Sequence, residues 1–207
     1  MTEQFSNAEV VAEKSRRRVA ARALRASLNE DDRARFAYRA ARALIESDVF
    51  QRAQVIALYA SMGDEAETIN LEDAAGDRVI LYPRVDGRHL EFRRARRREL
   101  EESAFGIPEP TAHHVFFEVA KADLVVVPGL AFALDGHRLG YGRGYYDRAL
   151  RRMGALAHPN PPRSVGLGFE IQVVQTLPTT PADEPVSALV TEAGLRFVDH
   201  ARRPTVD

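Results

Sequence analysis

Apolar positions recur along this chain with two different periods, and the alternation between them predicts its elements. Over residues 8–28 a helical projection sets Lys14, Arg18, Arg22 and Arg25 on one stripe, with Ala20, Ala23, Leu24 and Leu28 opposite. A helix is expected there, with Asn7 as its N-cap. Asn29, followed by Glu30, Asp31 and Asp32, opens a second helix running to about Ser47, with Phe36, Ala40, Ala43 and Leu44 on its core face. Residues 54–60, 78–83 and 164–169 read as strands, and Asp86-Gly87 as a hairpin turn into residues 88–92. Val125-Val126-Val127, bounded by Pro128 and Gly129, is the short β-branched run of a buried strand. A helix opening near Tyr145 is expected to reach Ala155, and residues 159–162 to form a surface turn. Residues 177–185 are expected to be extended and to lead into two short edge strands at 187–191 and 195–198. Helices alternating with β runs, with no repeat or low-complexity linker, predict an α/β fold. The expectation is a single three-layer domain over residues 1–207, with a central, mainly parallel sheet flanked by helices and residues 1–7 flexible.

Charge and composition narrow the function classes. A formal net charge of −1 does not favour a general polyanion-binding role. The absence of cysteine excludes disulfides, thiol nucleophiles and thiolate-held metals. Histidines at 89, 113, 114, 137, 158 and 200 lack zinc-ligand spacing, and the His113-His114 pair reads as part of a loop. The N-terminal segment has neither a basic stretch nor an apolar one of the secretory kind, and no apolar run is long enough to span a bilayer. A cytoplasmic, monomeric protein is expected, with no membrane or nucleic-acid partner. The arginine run at 93–98 could suggest RNA binding, but Glu99, Glu101 and Glu102 follow at once and no aromatics are interleaved, which favours a solvated segment.

Candidate chemistry concentrates between Val125 and Leu150. Glycines at 140, 142 and 144, flanked by Arg138 and Arg143, lie between the predicted strand and the predicted helix. Such spacing lets backbone approach a ligand with its N–H groups turned inward, while a helix N-terminus and two guanidiniums add positive charge. An anion, most plausibly a phosphate, suits these features; a glycine-rich turn without a ligand suits the local pattern as well. Neither common phosphate motif fits, since the spacing is Gly-x-Gly-x-Gly and no Gly-Lys-Ser/Thr occurs. The basic stripe of the first helix is likewise either a solvated face or a row of cations facing a polyphosphate.

The stretch Pro-Gly-Leu-Ala-Phe followed by Gly-His-Arg-Leu-Gly-Tyr-Gly-Arg-Gly-Tyr-Tyr-Asp-Arg resembles the signature of the 5-formyltetrahydrofolate cyclo-ligase family. The resemblance extends from about residue 14 to 192, through Ser-Met-Gly-Asp-Glu-Ala-Glu-Thr at 61–68 and Phe-Gly-Ile-Pro-Glu-Pro at 105–110. It implies an ATP- and Mg²⁺-dependent conversion of 5-formyltetrahydrofolate to 5,10-methenyltetrahydrofolate through a phosphorylated formyl group. It further implies ATP contacts from Lys14, Arg18, Arg138, Leu139, Gly140, Tyr141, Gly142, Arg143, Gly144, Tyr145 and Tyr146, with Lys14, Arg138 and Arg143 acting in phosphoryl transfer. Glu65, Phe105 and Tyr145 are implied to hold the folate, and Asp147 and Asp183 the metal. This chain departs from the family pattern at Arg17, where leucine is common, at Ala133, where Asp usually follows the Phe, and at Ser187, where a second Asp often stands. A relative of the family acting on another substrate is the alternative; an arginine-rich RNA-binding protein would leave the glycine loop and Glu65 without a role.

Overall fold

A computed structural model of the chain describes residues 7–103, 106–155 and 163–198. Residues 1–6 of the segment 1–7 expected to be flexible, Phe105 and the expected surface turn at 159–162 lie outside the described residues. Helices α1 (Asn7–Ala26), α2 (Glu30–Ile45), α3 (Asp48–Arg52), α4 (Ile69–Ala75) and α5 (Tyr145–Ala155) surround a sheet built from β1 (Val55–Ala57), β2 (Val79–Asp86), β3 (His89–Arg94), β6 (Phe116–Phe117), β7 (Leu124–Val127), β10 (Arg163–Leu167), β12 (Ala188–Thr191) and β13 (Gly194–Phe197). Its order is β13-β12-β10-β7-β1-β2-β3-β6. The block from β12 to β2 is parallel, and β13, β3 and β6 add antiparallel flanks. Two smaller ladders complete it: β4 (Glu101–Glu102) with β5 (Pro108–Glu109), and β8 (Ala131–Ala133) between β9 (Arg138–Leu139) and β11 (Val173–Val174).

Period-two alternation in the central strands separates two cores. Ile56, Ile80, Tyr82, Leu124, Val126, Val165 and Val190 point to the face covered by α2, α3 and α4. Their neighbours Ala57, Leu81, Val125, Val127 and Leu189 point to the opposite face, where Ala149, Leu150 and Met153 of α5 pack. Both faces are covered, so the strands read as nearly continuous apolar runs. The connections place the site: β1 leads to β2 on one side, whereas β7 returns to the other side of β1 and leads outward to β10 and β12. The carboxyl ends of β1 and β7 therefore flank a topological switch point, where open α/β sheets bind ligands.

Several expectations are corrected. Asn7 lies within the first turn of α1 rather than preceding it. α1 is inverted relative to an ordinary amphipathic helix: Lys14 and Arg25 are buried, while Ala20, Ala23 and Leu24 are exposed. Little of the sheet lies under α1, and Lys14, Arg18 and Arg25 of its cationic stripe turn toward protein while Arg22 stays exposed. Asn29 does cap α2, its Oδ1 accepting from Asp32 N at 2.8 Å, but the buried face centres on Ala37, Ala40, Ala41 and Leu44, with Phe36 and Ala43 only partly covered. β12 is not an edge strand, being paired on both sides. The span between β7 and α5 is not one loop; it contains the β8–β9 hairpin, turned at Asp135-Gly136 with Gly136 at φ 87°. Nor is the arginine run uniformly solvated. Arg93 donates to Ala112 O and His114 O and pairs with Glu91, and Arg96 donates to Gly76 O and Arg78 O. Arg94 and Arg98 are the exposed members of that run.

Candidate active site

One cavity of about 680 Å³ opens at the switch point. The described residues singled out from the sequence all line it: Lys14 and Arg18 from α1, Glu65 after β1, the stretch from Arg138 to Asp147, and Asp183 from the segment before β12. Its far wall is apolar, made by Pro83, Val85 and Leu90 of the β2–β3 hairpin with Ile107 and Pro108.

The glycine loop holds its shape for different reasons at different positions. Gly142 and Gly144 have φ 98° and 65°, which side-chain-bearing residues rarely adopt, whereas Gly140 has ordinary backbone geometry. At Gly140 an added Cβ would meet nothing within 4 Å, so its bare backbone leaves room for a ligand. Arg18 Nε donates to Gly140 O at 2.9 Å, and its guanidinium lies 3.3 Å from where a Gly142 Cβ would stand, tying the loop to α1.

Two ion pairs cross the charged end. Lys14 Nζ pairs with Asp183 Oδ2, which also accepts from Thr180 N and Oγ1. Burial alone would raise the Asp183 carboxyl, but these donors, Lys14 first, hold it below its ordinary value. Arg138, with a side chain 3 % exposed, donates from Nη2 to Asp147 Oδ1 at 3.0 Å and from Nη1 to Glu184 O at 2.7 Å. Burial depresses its pKa, but a guanidinium remains charged at any ordinary pH. Glu184 N also donates to Asp147 Oδ1, which sets Asp147 beside the backbone that follows Asp183. The bonds found engage Oδ1 of Asp147 and Oδ2 of Asp183, leaving one carboxylate oxygen on each for a hard cation. Two carboxylates alone do not make a protein metal site, and among the described residues no group of three or more His, Asp or Glu does so. The donor set fits Mg²⁺ when phosphate oxygens and water complete it.

A second group of side chains carries chemistry that local pattern could not show. Glu65 is buried, which pushes its carboxyl above the ordinary range. Tyr141 OH donates to its Oε1 at 2.9 Å, and Met62 N to its Oε2 at 3.1 Å. Arg25, 3 % exposed, donates from Nη2 to Asp64 Oδ1 at 2.5 Å and to Tyr141 OH at 3.0 Å. The Tyr146 hydroxyl is buried at the cavity wall with no partner among the described residues, and burial raises its pKa, so it remains a donor. Arg25, Asp64 and Glu109, the last of which also lines the cavity, were not singled out from the sequence as site residues. Arg25 shared the stripe with Lys14, and Asp64 and Glu109 sat inside quoted motifs, so a signal existed without a geometry to interpret it.

Fold and cavity together define an α/β protein with a small-molecule site at its switch point. A family model described as the 5-formyltetrahydrofolate cyclo-ligase family matches residues 10–192. A mouse (Mus musculus) 5-formyltetrahydrofolate cyclo-ligase is 28% identical over 178 residues, covering 80% of this chain and 87% of its own length. The Escherichia coli K12 protein of that name is 30% identical over 146 residues, 67% of this chain and 78% of its own. The NMR structure of Aquifex aeolicus 5,10-methenyltetrahydrofolate synthetase matches with a TM-score of 0.78 at 31% identity, covering 92% of this chain and 95% of that one. The chain belongs to the 5-formyltetrahydrofolate cyclo-ligase family, whose members are enzymes.

Proposed function

We propose that this protein uses ATP and Mg²⁺ to convert 5-formyltetrahydrofolate to 5,10-methenyltetrahydrofolate, releasing ADP and phosphate. The observation that carries it is one cavity lined by a cationic glycine loop, a buried carboxylate and the apolar side chains of the β2–β3 hairpin. The formyl oxygen is a poor leaving group; transfer of the γ-phosphoryl group to it, with loss of ADP, turns it into a phosphate ester of an iminium carbon. The neighbouring nitrogen then attacks that carbon, phosphate leaves with the former formyl oxygen and takes up the proton that nitrogen loses, and the ring closes. No side-chain nucleophile is required. Lys14, Arg138 and Arg143 supply the positive charge that stabilises the transferring group, and the N–H groups of the glycine loop and the Tyr146 hydroxyl orient the phosphates. Mg²⁺ bound by Asp147 and Asp183 would neutralise and align the phosphate oxygens. Leu139 and Tyr145 border the nucleotide and folate parts of the cavity, and Phe105 is assigned to the folate by the resemblance alone. We place the protein in the cytoplasm as a monomer; among the described residues no helix is long and apolar enough to cross a membrane.

The test is stoichiometric. ADP and phosphate should appear together only when Mg²⁺, ATP and 5-formyltetrahydrofolate are all present; phosphate release that ignores the folate would overturn the assignment. Two further outcomes follow from the geometry. Alanine at Gly142 must adopt a left-handed backbone beside Arg18, a strain of about 1–2 kcal/mol. The KM for ATP in Gly142→Ala should rise about tenfold, by steady-state kinetics, with the folate KM little changed.

Glu65 gives a pH dependence. An ionised carboxylate has about four acceptor positions; Tyr141 and Met62 use one each, leaving two for adjacent N–H donors on a pterin edge. Because burial raises its pKa, a proton competes with the folate at higher pH than for an ordinary glutamate. The folate kcat/KM should therefore fall on the acid side starting above the usual carboxylate range. Glu65→Gln should lose that limb and about 10–100-fold in kcat/KM. A wild-type profile flat down to ordinary carboxylate pH would contradict the role.

A further inference from the structure

The glycine loop and the folate carboxylate belong to segments far apart in the chain, yet one hydroxyl joins them. Tyr141 stands between Gly140 and Gly142, and its OH donates to Glu65 Oε1 at 2.9 Å while accepting from Arg25 Nη2 at 3.0 Å. Arg25 is fixed in turn by Asp64, the residue before Glu65, and reaches Gly129 O at 3.4 Å, in the turn after β7. A second contact from α1 holds the ring itself, with the Arg22 guanidinium 5.4 Å from its centroid. Helix α1, the glycine loop and the segment following β1 thus meet on one phenol.

This arrangement makes the glycine loop and the segment carrying Glu65 mechanically dependent. A shift of the loop around a bound nucleotide carries the Tyr141 hydroxyl with it, and that hydroxyl and Met62 N are the two hydrogen-bond donors to Glu65, with Arg25 Nη1 facing the same Oε1 at 3.9 Å. Arg18 and Arg22 bind the loop to the same helix that presents Lys14, so loop, helix and carboxylate form one connected unit. The ring is partly exposed at the cavity, so it is a movable part of the wall rather than core packing. The phenol touches neither reacting atom in the scheme above; it acts through Glu65.

We propose that Tyr141 is a positioning residue that interlocks the two half-sites, so that a nucleotide seated in the glycine loop and a reduced folate seated on Glu65 bind cooperatively. The inference rests on the cyclo-ligase assignment, which names the two ligands. Coupling of this kind is reciprocal: whatever factor the nucleotide adds to folate affinity, the folate must add to nucleotide affinity.

Calorimetric titration tests it with the intact chain. 5-Formyltetrahydrofolate is titrated into protein alone and into protein saturated with a non-hydrolysable ATP analogue and Mg²⁺, and the analogue is titrated with and without folate. Wild-type protein should show a mutual enhancement of about tenfold. Tyr141→Phe keeps the ring and its Arg22 contact but removes the hydroxyl, and its enhancement should fall to about one. Weaker folate binding by the same factor with and without analogue would show a merely local role and overturn the interlock. Folate binding by the wild type that ignores the analogue would overturn it as well. Failure of the wild type to bind folate under either condition would overturn the substrate assignment and the interlock together, which separates the two failures.

Discussion

Replacing Arg138 with methionine should lower turnover by about a thousandfold or more, the scale on which a guanidinium acting on a transferring phosphoryl group is felt. The side chain is nearly as long and fits the same buried channel, so the change removes charge and donors with little volume. Arg138 reaches the charged end of the cavity from β9, held by Glu184 O and Asp147. Its loss leaves Asp147 with the Glu184 N–H as partner, and Asp147 remains partly exposed, so the folding cost is limited to about 1–3 kcal/mol. Circular dichroism and thermal melting therefore separate the two effects: the melting point should fall modestly while kcat collapses at temperatures where the variant is folded. Arg138→Lys, retaining charge but not the two-armed hold on Asp147 and Glu184, should lie between. Turnover near the wild-type rate in the methionine variant would remove Arg138 from the mechanism.

The largest effect on stability should come from Phe132→Ala. Phe132 is 1 % exposed, and three glycines make way for its ring. A Cβ at Gly129, Gly166 or Gly168 would approach it within 2.7, 2.6 and 2.8 Å respectively. The ring lies against backbone after β7 and along β10, where neighbouring chain cannot close a gap without moving the sheet. Truncation should cost about 3–5 kcal/mol, read as a drop in the unfolding free energy from urea denaturation. The reverse change, Gly166→Ala, should also destabilise, by about 1–3 kcal/mol, because the added methyl must displace the ring or Leu189. A loss below about 1 kcal/mol in Phe132→Ala would mean the hairpin base repacks freely.

Legibility in the sequence followed the range of the interaction. The valine run of β7 was readable because a strand buried on both faces is apolar at every position, and Asn29 because a cap bonds a residue three positions away. The glycine loop was marked by residue type within a local motif, whereas Lys14, Glu65 and Asp183 took their roles from the family resemblance, and the fold brings all of them to one cavity. The β8–β9 hairpin escaped notice because Ala131-Phe132-Ala133 is too short to show a period, although Asp135-Gly136 carried the turn signal. The sidedness of α1 was read from apolar residues, but its packing is set by cations whose partners, such as Asp183, lie 169 positions away. The bond between Tyr141 and Glu65 spans 76 positions and leaves no periodic trace at all.

Cyclo-ligase activity itself rests on one reaction. Purified protein is mixed with 5-formyltetrahydrofolate, Mg²⁺ and ATP, and the near-ultraviolet absorbance of the methenyl product is followed beside an ATP-free control. An ATP-dependent rise is the expected result. A flat trace from folded protein that still binds ATP would keep the phosphate loop and assign the cavity to a different substrate.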